Sequence, residues 1–490
     1  MVQVPLKTEE FENFIGGEWR PAASGALFET FDPATGELVA RCADSDESDI
    51  SAAVSLAQQA FEKSRWSKDP LLRYRVLMEM AAVLEASISE LATLDTRETG
   101  KPIADAFGEI RASIDSLRYA SALARTVMGR SRLNRPDSIS MTIREPVGVI
   151  AQIIPWNAPI ILLVRDLAPA LAAGNVVVVK PPSLASGVVA QMFKLFAGIS
   201  EMPQGVLSLV TGSAKAVGVP LVGHPQVKMI ILTGSAETGK MVYQVAAQQL
   251  KRVHLELGGK SPFVVFEDAD LDRALPSLVR NAYVFAGQFC MCASRLIVAR
   301  SIHDALVDSL RRRVEELVVG NGIDPKTQMG PMISGAQMES VLEACDRGAK
   351  DADLVTGGVQ LTGEGKAGGY FVAPTIFDNV RSDSELAQVE LFGPVLSIQT
   401  FTTEEEALEL ANNTNYGLVG AVWTNRLDRA MRMSQGIQAG TVWVNTYYET
   451  FPEIESGGTK DSGVGRTRGI DGLNEFTELK HINIVYGAQP

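Results

Sequence analysis

Residues 147–180 read VGVIAQIIPWNAPIILLVRDLAPALAAGNVVVVK. Both ends are short apolar, β-branched runs that read as strands, and the stretch between them reads as helix. Strand, helix and strand in so short a span is the building unit of a parallel sheet. The pattern continues downstream, where GVLSLV (205–210) and KMIILT (228–233) are further strand candidates separated by helix-like segments. Together these runs predict a doubly wound α/β lobe, which binds ligands at the carboxyl ends of its strands.

Working outward, Asp49 to about Thr126 is rich in Ala, Leu, Glu and Arg at helical spacing, as in VLMEMAAVLEASISELATL (76–94), and reads as helical scaffold. A second alternating region opens near Ser261, with PFVVF (262–266), RLIVA (295–299), GPVLSIQTF (393–401), GAVWT (420–424) and GTVWVN (440–445) as strand candidates. Two α/β lobes follow. SRLNRPDSISMTIREP (131–146) and HINIVYG (481–487) read as strands that have left their own lobe.

At 490 residues with a formal charge of −13, the chain can bury large cores and has no global attraction for nucleic acid or an anionic membrane. Four scattered cysteines do not make a disulfide framework, the start lacks a secretory signal, and no run of about 18 uncharged apolar residues occurs. The expectation is a cytoplasmic protein with free thiols that works on a small molecule.

Two of those cysteines share the loop AGQFCMCASR (286–295). A C-x-C pair can be a metal half-site, a redox pair, two packed apolar residues, or one nucleophile with a bystander. Zinc needs about four ligands, and the four histidines show no paired spacing near this loop, so no metal is expected. In VHLELGGKSP (253–262), Glu256 ends an apolar run beside two glycines, and in IIPWNAP (153–159), Asn157 follows a strand. A thiol, a carboxylate and a side-chain amide are the nucleophile, base and oxyanion donor that acyl chemistry through a thioester requires. Spacing alone does not show that they meet.

PWN, ILTGSAETGK, LELGGKSP, GQFC, ELFGPV and SGGTKDSGVGR stand here in the order of the motifs of the NAD(P)-dependent aldehyde dehydrogenase superfamily, and the chain resembles that superfamily over nearly its whole length. The resemblance implies Cys290 as nucleophile, Glu256 as the base that hydrolyses the thioester to a free acid, and Asn157 as oxyanion donor. It also implies a cofactor domain (1–126 and 147–256), a catalytic domain (257–466) and an oligomerisation arm (127–146 and 467–490), in a homodimer or homotetramer. Relatives of this kind can also hydrolyse esters with the same thiol and carboxylate, which is the competing activity.

For the cofactor, G-x-G-x-x-G is absent, and TGSAETGK replaces it: Gly234 and Ser235 open a helix, and Gly239 lets it pack closely. The resemblance adds Trp156, Lys180, Glu390 and Phe392 to the site. Ser183 stands where NAD-preferring relatives have glutamate, and Lys215 lies in a loop that flanks the adenosine, so NADP is expected to be accepted alongside NAD. In the substrate pocket Phe289 precedes the nucleophile, while Ala158, Arg165, Thr450 and Ser456 occupy positions that are often aromatic. WNAPIILLVR and GQFCM resemble benzaldehyde, salicylaldehyde and vanillin dehydrogenases, which implies an aromatic aldehyde. Arg165 itself resembles the residue with which succinic semialdehyde dehydrogenases hold a carboxylate, although Val284 stands where a second arginine is expected; pairing of Arg165 with Asp166 is the plain structural alternative. Asp166 and Thr467 replace a Lys and a Glu, so the usual proton exit from Glu256 is missing.

Overall fold

The computed structural model describes residues 8–363 and 365–486. Its first large sheet contains five parallel strands in the order Leu207–Leu209, Val176–Lys180, Val149–Ile153, Val227–Thr233 and Arg252–Glu256. In chain order this is 3-2-1-4-5, so the winding reverses between Val149–Ile153 and Val227–Thr233, where a crevice opens at the carboxyl ends. The hairpin of Asn13–Ile15 and Glu18–Arg20 extends one edge antiparallel, and Gly463–Val464 extends the other.

Between the first two of these strands in the chain runs the helix Pro159–Ala173, buried along its whole length. It starts with Pro at the first helical turn and stops at Gly174, whose φ of 100° is the left-handed close that glycine supplies. No side chain of Ala158 can cap it, so Glu109 does so from another helix, accepting the N–H groups of Ile160 and Ile161 at 2.8 and 3.0 Å. The buried Lys101 ammonium bridges Glu109 to Asp95, the latter at 3.0 Å. A carboxylate locked at a helix N-terminus also favours the dipole. This fixes the entry of the helix, and with it the preceding Trp156 and Asn157.

Four helices, Glu47–Lys63, Pro70–Ala86, Ile88–Thr99 and Ile103–Ala124, form the expected scaffold and share one apolar core with the first sheet. The second large sheet runs Asp353–Thr356, Thr375–Asp378, Val395–Phe401, Arg295–Ala299, Pro262–Val265, Val419–Trp423, Thr441–Val444, all parallel except the first strand. Asp353–Thr356 and Thr375–Asp378 escaped the sequence reading. No described helix is long and apolar enough to cross a membrane.

The two stray segments do form a separate sheet: Ser138–Pro146 pairs antiparallel with Thr477–Val485 from Pro146↔Thr477 to Ser138↔Val485, with Arg130–Arg135 alongside. The boundary expected at 466/467 is not the one the chain follows. Gly463–Val464 pairs with Arg252–Glu256 in the first sheet, and Gly469–Glu475 is a helix packed on Pro159–Ala173, so this region returns to the first lobe before the arm strand begins. Residues 1–7 and 487–490 of the expected segments lie outside the described ones.

Candidate active site

Cys290 follows Val284–Gly287, a short turn in which Phe285, Ala286 and Gly287 all take positive φ (51°, 56° and 71°). A Cβ on Gly287 would come within 2.0 Å of the Gly393 carbonyl, so the backbone is clamped to the ELFGPV loop. Such strain persists only where the surroundings over-determine it, and here it aims the next turn, which carries the thiol. Tyr447 anchors the far side by donating to the Met291 carbonyl at 2.8 Å. Cys290 is half-buried, and Cys292 is buried with its thiol bonded to the Ala282 carbonyl at 3.0 Å. Burial first, and then the Glu390 carboxylate, push the Cys290 thiol up to about 12; Arg165 opposes the shift and Glu256 adds to it.

Glu256 is tied to the cofactor turn through its carbonyl, which accepts the Gly234 N–H at 3.1 Å. Its side chain is buried and Oε1 has no hydrogen-bond partner among the described residues. Gly457, at φ 143°, gives that oxygen room, since a Cβ there would lie 3.1 Å from it. The Asn157 side chain is also buried and bonds to none of the described residues. Glu256, with its unspent carboxylate oxygen, Arg165 and Glu390 all act on the half-open Cys290 thiol, and Ala158, next to Asn157 in the chain, belongs to the apolar cluster against which Cys290 packs.

Arg165 is not free to be a simple clamp. Its guanidinium donates to Asp166 at 2.7 Å and to Thr233 at 2.8 Å, with Nη1 3.8 Å from Glu256 Oε2. Burial works against its charge, and Asp166 and Glu256 more than offset that. Asp166 in turn accepts from Thr467 at 3.1 Å and stands 3.8 Å from Nε2 of the fully buried His254. The pairing alternative for Arg165 is the one the fold adopts. Arg165, Asp166 and Thr467 thus form a bonded cluster beside Glu256.

At the sheet crevice, Ser235 caps the helix Ala236–Gln248 by accepting the Thr238 N–H, leaving the helix start lined by small groups. A Cβ on Gly239 would meet the end of the Leu257 side chain at 2.6 Å, so glycine lets this helix sit against the strand that carries Glu256 without displacing Leu257. Lys180 is buried with no acidic partner among the described residues, and burial brings its ammonium down to about 8. Glu390 accepts the Gly259 N–H at 2.9 Å and is raised to about 7, mainly by burial. Phe392, at φ 53°, sets its ring edge-on to Trp156 at 5.3 Å, bridging the two lobes. The Ser183 hydroxyl donates to the Gly212 carbonyl at 3.1 Å, and Lys215 is exposed. An orphaned ammonium, a capped helix start and a cradle that a Cβ would fill suit a dinucleotide.

Residues 19–482 match the aldehyde dehydrogenase family. The chain belongs to that family. It is 38% identical over 474 residues to betaine aldehyde dehydrogenase of Bacillus subtilis, covering 96% of each. Among solved structures, betaine aldehyde dehydrogenase from Staphylococcus aureus in complex with NAD+ aligns at TM-score 0.96 and 33% identity, over 98% of this chain and 95% of that one. The NAD-dependent aldehyde dehydrogenase from Sinorhizobium meliloti aligns at 0.95 and 36%, over 99% and 96%.

In this aldehyde dehydrogenase the expected pocket residues separate. Ala158 and Phe289 join Ile161, Leu162, Val284, Phe285 and Cys292 in an apolar cluster against Cys290. Phe289 also meets Tyr448 edge-on at 4.9 Å, an aromatic wall that sequence reading missed. Ser456 is instead held in a backbone bridge with Thr467, and Thr450 makes no hydrogen bond among the described residues. Two further residues went unread, His254 and Arg468; each is one or two positions from a residue that was singled out, but no local pattern marks it.

Proposed function

We propose that this aldehyde dehydrogenase converts an aldehyde to the free carboxylic acid through a thioester on Cys290. The carrying observation is the buried Glu256, whose Oε1 is unpartnered and lies in the same charged neighbourhood as the half-open thiol. A carboxylate so placed can take a proton from water attacking a thioester, whereas transfer to another thiol needs no such base. The step before requires Cys290 to ionise and add to the aldehyde carbon, with the Asn157 amide donating to the new oxyanion; losing such a donor typically costs about 3 kcal/mol in the transition state. Arg165 favours the thiolate, offsetting part of what burial and Glu390 oppose.

Lys180, Gly234, Ser235 and Glu390, with Trp156 and Phe392 bridging the lobes, are the residues that would hold NAD or NADP. When bound, the dinucleotide supplies the hydride acceptor for the tetrahedral adduct. The apolar cluster of Ile161, Leu162, Phe285 and Phe289 beside Cys290 supports a substrate with an apolar or aromatic body. The oligomerisation arm and the cytoplasmic setting belong to the same proposal.

Rapid mixing of enzyme, cofactor and benzaldehyde tests the chemistry. Glu256→Gln should release about one equivalent of reduced cofactor per site and then stall, with an acyl adduct on Cys290 by mass spectrometry. Unimpaired steady turnover in that variant would overturn the role of Glu256. Arrest before any reduced cofactor appears would overturn the order of steps.

A further inference from the structure

Tyr119, Leu123, Arg165, Pro169, Pro452 and Arg468 are among the residues that line one narrow crevice. Two of these are arginines, and only one has counter-charges. Arg165 is engaged by Asp166 and faces Glu256. The half-buried Arg468 side chain makes no hydrogen bond or ion pair with any described residue. Burial and the field of Arg165 both work against its charge, while Tyr448, Asp166 and Glu256 act more weakly in its favour.

Arg468 is moreover held at φ 66°, a left-handed backbone that costs a non-glycine residue roughly 1 kcal/mol or more. The glycine that follows it, Gly469, also has positive φ, and Glu455 packs so tightly there that a Cβ would fall 2.1 Å from its carboxylate. Glu455 is occupied in accepting the Asp471 N–H at the start of the helix Gly469–Glu475. Glu453 is exposed, and an exposed charge is screened by solvent. A desolvated, unpaired guanidinium facing a second one is costly unless an anion joins them.

We propose that Arg468 is the specificity residue that receives a carboxylate carried by the aldehyde substrate, so that the preferred substrates are anionic aldehydes and a cationic, quaternary-ammonium aldehyde is disfavoured. This rests on the oxidation proposed above and names its substrate class. It assigns the anion to Arg468, leaving Arg165 to the charge cluster under Glu256. A quaternary ammonium is held by an aromatic cage without cations, and here two guanidinium groups line the same crevice.

The test compares succinic semialdehyde with butanal, and both with betaine aldehyde, on the wild-type enzyme, Arg468→Gln and Arg468→Lys. The quantity read is the ratio of kcat/KM for the anionic over the neutral aldehyde on one preparation, which cancels any loss of folded enzyme. The wild-type ratio should exceed roughly tenfold, and R468Q should lower it by about tenfold or more through KM for the anion, as expected for loss of a charge-assisted contact. R468K should retain part of the preference. A wild-type ratio near one, a ratio unmoved in R468Q, or betaine aldehyde as the best substrate would overturn the assignment while leaving the oxidation itself intact. Failure of every aldehyde to reduce the cofactor would instead remove the oxidation on which the assignment rests.

Discussion

Arg165 bonds Asp166 through Nη2 at 2.7 Å while its Nη1 stands 3.8 Å from Glu256 Oε2, so a single buried cation is shared by two carboxylates. Removing one partner of a buried charge set leaves the others uncompensated, at a cost of about 3–5 kcal/mol. For Asp166, burial alone would raise the carboxyl, and Arg165 with His254 holds it below the ordinary value instead. A depressed carboxyl contributes stability above its unfolded value of about 3.9 and loses it as pH falls through the folded one. In Arg165→Met the sign inverts: Asp166 becomes a buried acid without its cation, and its ionisation then favours unfolding. The gap in stability between wild type and variant should therefore widen from pH 4 to pH 7, as read by denaturant titration. A gap that stays constant over that range would show that Asp166 does not depend on Arg165 for its charge.

The thiol of Cys290 is pushed up to about 12 by burial and then by Glu390. Without cofactor or substrate it is protonated at neutral pH, and only the thiolate reacts. Alkylation of Cys290 by iodoacetamide should be slow at pH 7 and climb about tenfold per unit as pH rises toward 9. Because Glu390 is among the groups that oppose ionisation, Glu390→Gln should react several-fold faster at a fixed pH of 8. Equal rates for the two proteins would mean that the Glu390 carboxylate does not act on the thiol.

Gly287 carries the clamp on the nucleophile loop. At φ 71° and with the Gly393 carbonyl 2.0 Å from where a Cβ would sit, alanine there is both strained and in collision with backbone that cannot swing aside. Gly287→Ala should lose more than about 2 kcal/mol, beyond the cost of a typical point substitution. Gly25, at nearly the same φ (70°) but with open space around it, is the control: alanine there meets only the backbone strain. Thermal melts of the two variants should separate by several degrees, with G287A the lower.

Four strands of the first lobe, Val149–Ile153, Val176–Lys180, Leu207–Leu209 and Val227–Thr233, were legible because each lies in a largely apolar run bounded by Gly, Pro or Lys, as a strand covered on both faces must be. The charge cluster was not. Arg165 and Asp166 sit inside a helix whose every residue is buried, and what they meet, Thr233, Glu256 and Thr467, comes from three other segments. Spacing along one segment carries no trace of such a meeting; only the departures at Arg165, Asp166 and Thr467 hinted that something there had been rebuilt. Gly463–Val464 was misplaced for a related reason, since a two-residue edge strand has too few residues to show a period.

Dinucleotide choice turns on what remains free in the adenosine region. The Ser183 hydroxyl is spent on the Gly212 carbonyl, whereas Lys215, on the short helical turn Ala214–Gly218, is exposed. An exposed ammonium reads a phosphate as a point charge, so its contribution should fall with added salt. Lys215→Ala should lower the NADP-over-NAD ratio of kcat/KM by about tenfold at low salt, and by less in 0.5 M salt, where the screening length is short. Ser183→Ala should move the same ratio by less than about twofold, because no free donor is lost. A large effect of S183A with none of K215A would mean that the Ser183 hydroxyl leaves Gly212 when the cofactor binds, and that it, and not the lysine, meets the 2′-phosphate.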